Sequence, residues 1–159
     1  MKNKKGFTLV ELLAVIVILA LIMGIAIVSI GNVVQESRQN VMFENAQGVI
    51  DAIKTTFAIK FETPNGSYGF DSTILGDRGI KSPMGGNFIF GSKGDGDTLI
   101  TTGLWKLGTA PSGCTATSTA YVTVTNGKYT LCMAAGTGNK YIDGPEDKIS
   151  QNDSSVIKG

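Results

Sequence analysis

An uncharged run of 23 residues, from Leu12 to Val34, dominates the N-terminal part of the sequence, and Ser29 and Asn32 are its polar side chains. About 20 helical residues, at about 1.5 Å each, cross the hydrocarbon core of a bilayer. The run is apolar on every side, which is typical of a helix in lipid or one that is completely buried. It predicts one membrane-spanning helix.

Three lysines precede this run and predict its orientation. Lys2, Lys4 and Lys5 lie on its N-terminal side, so the positive-inside rule places the N-terminus in the cytoplasm and the rest of the chain outside. A secretory signal peptide is the alternative. Its apolar core has about 7 to 15 residues and ends at a small-x-small cleavage site. The present run is longer, and AIVSIG matches such a site poorly.

The overall composition excludes several classes of function. The chain has 14 Lys and Arg against 13 Asp and Glu, and without the three N-terminal lysines the acidic residues are in excess, so no nucleic-acid partner is expected. Histidine is absent, which excludes His-dependent nucleophiles and His-ligated zinc. Two cysteines are too few for a Cys-only zinc site, and no phosphate-binding glycine motif occurs. We therefore predict a protein that is not an enzyme and has no metal or cofactor.

Glu11 is the unusual residue of the apolar segment. It lies among Phe7, Leu9 and Val10, at or near membrane depth, where a carboxylate is unfavourable unless it has a partner or a function. Cleavage between Gly6 and Phe7 would create an α-amino group with a pKa of about 8, which is mostly protonated at neutral pH. Glu11 could then neutralise this amine in its own chain or in a neighbouring one.

These residues closely resemble the N-terminus of type IV prepilins and of the related pseudopilins. The shared pattern is a short Lys-rich leader, Gly6, the stretch FTLVELL with its glutamate, and an apolar helix. The resemblance implies that a prepilin peptidase cuts between Gly6 and Phe7, and that the Phe7 amine is methylated. It also implies that Glu11 of an incoming subunit pairs with the Phe7 amine of a subunit already in the filament.

The resemblance implies a function and partners. The expected function is that of a type IV pilus subunit, held in the cytoplasmic membrane and then polymerised with copies of itself into a helical surface filament by the pilus assembly machinery. A pseudopilin of a secretion or DNA-uptake system is the first alternative. A membrane-anchored exported binding domain is the second.

The apolar helix departs from the family pattern at one position. Many type IV pilins have a proline that would correspond to position 28, where this chain has Val28. Gly24 and Gly31 flank that position, and each lowers helix propensity by about 1 kcal/mol relative to alanine. They either loosen the helix during assembly or permit close packing of helices.

Beyond the apolar run the sequence predicts an amphipathic continuation of the same helix. Apolar residues recur every three or four positions, and they are Met42, Ala46, Val49, Ile53, Phe57 and Phe61. Pro64 and the Asn65-Gly66 turn signal follow. We predict a leader at 1–6, an assembly helix at 7–35, an amphipathic spine at 36–61 and a β-rich head at 62–159.

The fold class is therefore α+β, with a long N-terminal helix packed against a small antiparallel sheet. Residues 62–86 are predicted to form an irregular connection. Residues 87–90 and 98–107 are predicted to form a hairpin with a long loop. Asn126-Gly127 predicts a type I′ turn between two alternating strands. Val122, Val124, Tyr129, Leu131 and Met133 should then share the face that packs on the helix.

The two cysteines are expected to form a disulfide bond. Outside the cytoplasm a pair of cysteines is usually oxidised. In the predicted hairpin Cys132 faces away from the helix, so a bond to Cys114 would pin the preceding loop onto the outer face of the sheet.

Two acidic stretches raise the question of calcium binding. Asp95–Asp97 reads as a turn, because the position of the bidentate glutamate of an EF-hand is occupied by Lys106. Residues 143–153 contain Asp143, Glu146, Asp147 and Asp153, and they match a calcium loop of the pseudopilins only loosely. The expected structure there is an exposed acidic loop.

Overall fold

We analysed a computed structural model of the chain, which describes residues 7–60, 65–78, 80–136 and 139–159. Its first element is the helix α1, Leu9–Lys60. The predicted end near Phe61 lies outside the described residues. Contacts divide the chain into two units, Met1–Ser37 and Arg38–Gly159.

The second unit contains an antiparallel sheet, which in the described part of the chain has seven strands. They are β1 Gly66–Phe70, β2 Thr98–Thr101, β3 Leu104–Lys106, β4 Tyr121–Thr125, β5 Lys128–Ala134, β6 Tyr141–Pro145 and β7 Ile157–Lys158. Their order across the sheet is β2-β3-β1-β4-β5-β6-β7. A short helix, α2, Glu146–Ser150, follows β6, and 3₁₀ turns lie at Ser72–Arg78 and Ser154–Val156.

The hairpin of β4 and β5 forms as the sequence predicts. Asn126 and Gly127 have φ values of 50° and 77°, which is the left-handed pair that a type I′ turn requires. Val122 pairs with Leu131 and Val124 with Tyr129 across the two strands. This register places the predicted apolar residues on one buried face.

The core lies between this face and the C-terminal half of α1. The predicted stripe is confirmed, since Met42, Ala46, Val49, Ile53 and Phe57 are all at most 2% exposed. The Phe57 ring packs edge-on against Tyr68 of β1, with the ring centroids 4.8 Å apart. The α+β architecture expected from the sequence is therefore confirmed. Phe61, the last predicted member of the stripe, lies outside the described residues.

The prediction of an irregular connection at 62–86 was wrong for its first part. Gly66–Phe70 forms β1, which pairs with β3 on one side and β4 on the other. Glycine and turn residues give GSYGF little intrinsic strand preference, so this strand depends on partners on both sides.

The predicted hairpin between 87–90 and 98–107 was also wrong. The hairpin lies inside the second segment, where β2 pairs with β3. Gly103, with φ of 80°, lies between the two strands. Phe88 instead makes an isolated bridge to Ala135, next to the end of β5.

Candidate functional site in the first helix

The helix α1 begins with a reciprocal cap formed by Thr8 and Glu11. The Thr8 backbone N–H and hydroxyl donate to Glu11 Oε2, at 2.8 and 2.9 Å. The Glu11 backbone N–H donates to Thr8 Oγ1 at 3.3 Å, and the Leu12 N–H donates to the Thr8 carbonyl at 3.3 Å. This arrangement is a capping box, in which side chains satisfy backbone donors that have no partner within the helix.

The capping box was not predicted, although its signal is present in the sequence. Thr8 and Glu11 have the T-x-x-E spacing that characterises such a box before an apolar run. The position of Glu11 in the sequence predicted only its pairing with an α-amino group. The structure adds a local function, because the same carboxylate also fixes the first turn of the helix.

The predicted cleavage site lies next to this cap. Phe7 precedes Thr8 and is 86% exposed, whereas Gly6 lies outside the described residues. Cleavage, methylation of Phe7 and pairing of Glu11 with the amine therefore stay predictions. The cap does hold the Glu11 carboxylate against Thr8, which is the residue that directly follows Phe7.

The described large apolar side chains from Phe7 to Val34 are all exposed, by between 41% and 86%. One helix in the described chain is long and apolar enough to cross a membrane, with a mean hydropathy of 3.2 over 18 residues and none of that stretch buried. Burying a Val, Leu, Ile or Phe side chain contributes about 1.5–3 kcal/mol. This surface therefore strongly favours lipid or other apolar helices over water.

Gly24 and Gly31 both lie inside the continuous helix. A Cβ atom added at either position would have nothing within 4 Å. Contacts within the described chain therefore do not require glycine at these positions. Helix loosening and close packing against another helix both stay predictions.

The predicted disulfide bond between Cys114 and Cys132 is present. Their Cα atoms are 5.6 Å apart, and 18 positions separate them in sequence. The neighbours of Cys132 in β5, Leu131 and Met133, face the core. Cys132 therefore lies on the face of the sheet opposite the core, and the disulfide bond holds the segment before β4 on that face.

Residues 143–153 are more ordered than the expected acidic loop. Asp143 belongs to β6, Glu146 begins α2, and Asp153 caps the following 3₁₀ turn. The Asp153 side chain accepts a hydrogen bond from the Ser155 backbone N–H at 2.9 Å, and this bond lowers the pKa of that carboxyl. The expectation of a loop was therefore wrong.

Three carboxylates of this segment pair with three different lysines, and one of these pairs is Asp153 with Lys148 at 3.8 Å. Asp143 pairs with Lys158 at 3.1 Å, and Glu146 pairs with Lys54 of α1. Among the described residues no group of three or more His, Cys, Asp or Glu side chains is placed to hold a metal ion.

Asp97 forms a turn, as the sequence predicts. Its two carboxylate oxygens accept backbone hydrogen bonds from Gly108 and Gly94, each at 2.9 Å. These two bonds, the one from Gly108 first, lower the pKa of Asp97 below its ordinary value. The side chain therefore joins the loop before β2 to the end of β3.

Comparison with known proteins adds a match to the N-terminus alone. Residues 1–27 match the family model of the prokaryotic N-terminal methylation motif. No curated protein and no solved structure matches the chain. This motif is typical of a membrane-anchored precursor of a structural subunit. The chain thus carries a type IV prepilin signal at residues 1–27, which leads into a long helix within an α+β fold of type IV pilin kind.

Proposed function

We propose that the chain is a structural subunit of a type IV pilus, which polymerises through α1 into an extracellular filament. The observation that carries the proposal is the exposed apolar N-terminal half of α1, most of which lies within the prepilin signal at residues 1–27. A subunit of this kind is stored in the membrane and leaves it only if the same surface becomes buried elsewhere. Other copies of the helix offer an equally apolar environment.

The division of the buried residues supports assembly through the helix. The core cluster begins at Met42 and lies within the unit Arg38–Gly159. None of the described residues of the unit Met1–Ser37 belongs to that cluster. Its apolar side chains are therefore available to lipid or to neighbouring subunits while the head keeps its own core.

Glu11 supplies the negative charge that determines how one subunit docks on another. Both hydrogen bonds from Thr8 end on the same oxygen, Oε2, so the cap does not require the second carboxylate oxygen. Cleavage after Gly6 would place a positive amine on Phe7. In an apolar bundle an unpaired charge is strongly unfavourable, so docking favours a neighbour that offers a carboxylate to this amine.

The capping box makes it possible to separate the charge of Glu11 from its role in the helix. Glutamine is also accepted at the last position of a capping box, so Glu11→Gln keeps the cap and removes the charge. Thr8→Val removes the capping hydroxyl and keeps the charge. We expect Glu11→Gln to be inserted and processed but nearly absent from sheared fibres, and Thr8→Val to assemble with at most a modest loss.

The measurement is the amount of each variant in sheared fibres relative to its membrane pool, expressed as the sole subunit, with the mature N-terminus checked by mass spectrometry. Assembly of Glu11→Gln at wild-type yield would show that the charge is not required. A mature protein that retains Met1 would favour an anchored binding domain. Short fibres confined to the cell envelope would assign the chain to the pseudopilins.

A further inference from the structure

One large apolar side chain of the head is exposed at the edge of the sheet. Beyond Lys60, Leu99 of β2 is the only large apolar residue among the described residues that is exposed, at 59%. β2 is the first strand in the sheet order, so it has a neighbouring strand, β3, on one side only. A single exposed leucine is common on protein surfaces, so its meaning depends on what lies beside it and on what could receive it.

A carboxylate without a partner lies four positions before this leucine. Asp95 is exposed, and among the described residues its side chain has no ion pair or hydrogen bond. The turn that follows it is fixed, because the Asp97 side chain accepts two backbone hydrogen bonds at 2.9 Å. Lys93 is the one cation of the segment 91–97, which therefore carries an excess of negative charge. Four residues span at most about 14 Å, so Asp95 and Leu99 form one local surface, which we call the β2 patch.

A cavity of about 400 Å³ lies in another part of the head. Its lining residues are Ser72, Ile80, Lys81, Asn87, Phe88 and Phe90. Phe90 is half-buried and packs edge-on against Phe70 and Phe88, with the ring centroids 6.2 Å apart in each pair. An apolar cavity of about 150 Å³ holds one benzene-sized group, so this cavity has room for a leucine side chain against Phe90. We call it the Phe90 pocket.

Lys81 is the one charged residue in the lining of the Phe90 pocket. It is exposed, and its ammonium group has no acidic partner among the residues that the structure describes. Its backbone is held in place, since Lys81 forms a β-bridge with Asn87 and its carbonyl accepts a hydrogen bond from the Asn45 side chain of α1 at 3.3 Å. The pocket therefore fits an apolar group that has a negative charge beside it.

We propose that the β2 patch of one subunit docks in the Phe90 pocket of a second copy, with Leu99 against Phe90 and Asp95 paired with Lys81. The patch offers one apolar side chain and one unpaired carboxylate, and the pocket offers an apolar lining and one unpaired ammonium group. The two surfaces have no residue in common, so the contact is heterologous and repeats from copy to copy. The inference rests on the proposed function, because helical filaments are built from contacts of this kind.

The contact is too small to build a filament by itself. One leucine and one ion pair cover far less than the roughly 800 Å² per partner of a standard stable interface. Complementary charges at such a contact contribute mainly to specificity and orientation. The apolar helices therefore supply most of the assembly energy, and the contact determines how one head meets the next.

Exchange of the two charges tests the ion pair, with each variant expressed as the sole subunit. Lys81→Glu and Asp95→Lys each bring like charges together, so the yield of sheared fibres relative to the membrane pool should fall at least about tenfold. The double variant Lys81→Glu/Asp95→Lys restores opposite charges and should restore the fibres. Lys128→Glu is the matched control, because this exposed lysine lies outside the pocket and has no ion pair among the described residues. It should assemble like the wild type.

Photo-crosslinking tests the apolar part of the contact. Benzoylphenylalanine in place of the exposed Leu99 should link neighbouring subunits of sheared fibres into dimers. Trypsin cleaves after Lys81 and Lys93, so the link should join the peptide that contains position 99 to the peptide 82–93, which contains Phe90. The same probe at Thr130, an exposed position of β5, is the control and should give no link to that peptide.

Recovery of fibres by the double variant, together with links to the peptide 82–93, would establish the contact. Failure of the double variant to recover, or links from position 99 to other peptides or to another protein, would overturn it. In that case wild-type fibres would still support the proposed function. Absence of fibres from the wild type itself would overturn the proposed function and this contact together.

Discussion

Removal of the disulfide bond should destabilise the head without changing its fold. Cys114 and Cys132 close a loop of 18 residues, for which the chain-entropy relation predicts a stabilisation of about 3 kcal/mol. In a domain the size of Arg38–Gly159, a loss of about 3 kcal/mol lowers the Tm by roughly 10–15 °C. The core should persist, because Leu131 and Met133 pack on the other face of the same strand.

Alanine is the appropriate replacement at both positions. Cys132 is 1% exposed, so serine would bury a hydroxyl group and add a penalty unrelated to the bond. Reduced wild-type protein provides the matched control, because its side chains are unchanged and only the S–S bond is missing. Urea unfolding of the full chain in detergent, followed by the fluorescence of Trp105, reports on the head alone.

The free energies of unfolding of the two proteins without the bond should agree within about 1 kcal/mol, because alanine removes only one buried sulfur atom at each position. If the double alanine variant is destabilised but the reduced wild type is not, packing of the sulfur atoms rather than loop closure provides the stability. If the free energy of unfolding falls by less than about 1 kcal/mol in both the double alanine variant and the reduced wild type, the entropic argument for this loop is refuted.

Three further predictions concern processing, the core and acid stability. Intact-mass analysis of native protein should show a mature chain that begins at methylated Phe7, and a start beyond residue 20 would contradict the prepilin interpretation. Leu131→Ala should lower the free energy of unfolding by about 2–5 kcal/mol, because this side chain is fully buried, whereas exposed Leu99→Ala should change it by less than about 0.5 kcal/mol in the same urea titration. The folded-state pKa of Asp97 lies below its ordinary value of 3.8. The contribution of its carboxylate to the stability of the fold is therefore complete above pH 3.8, and it is lost as the pH falls through the lowered pKa. Asp97→Asn should therefore show a weaker fall of the urea midpoint between about pH 6 and pH 2 than the wild type, and identical curves would contradict this assignment.

Local patterns predicted the elements that depend on nearby residues. The apolar run and the amphipathic stripe through Phe57 predicted α1, because helix hydrogen bonds join residues four positions apart. Asn126-Gly127 predicted the β4–β5 hairpin, since the φ values of a type I′ turn favour these two residue types. The charge of the leader, Glu11 and the length of the run together indicated the prepilin signal.

Other features could not be predicted, because they arise between segments that are distant in sequence. β1 forms in a glycine-rich stretch only because β3 and β4 provide hydrogen bonds on both of its sides. Asp143 likewise lies in β6 because β5 and β7 provide hydrogen bonds on both sides of that strand. In such cases non-local pairing outweighs weak local preference.

The sequence alone was therefore enough to predict a membrane anchor with a prepilin signal, because the length of the apolar run, the charge before it and the position of Glu11 are properties of one continuous segment. Tertiary structure alone decided what the head presents on its outer face. The register that sets Gly69 opposite Trp105 cannot be read from either segment, and a shift of one residue would turn the indole to the other face. The indole lies over Gly69 only because β1 and β3 pair in this register.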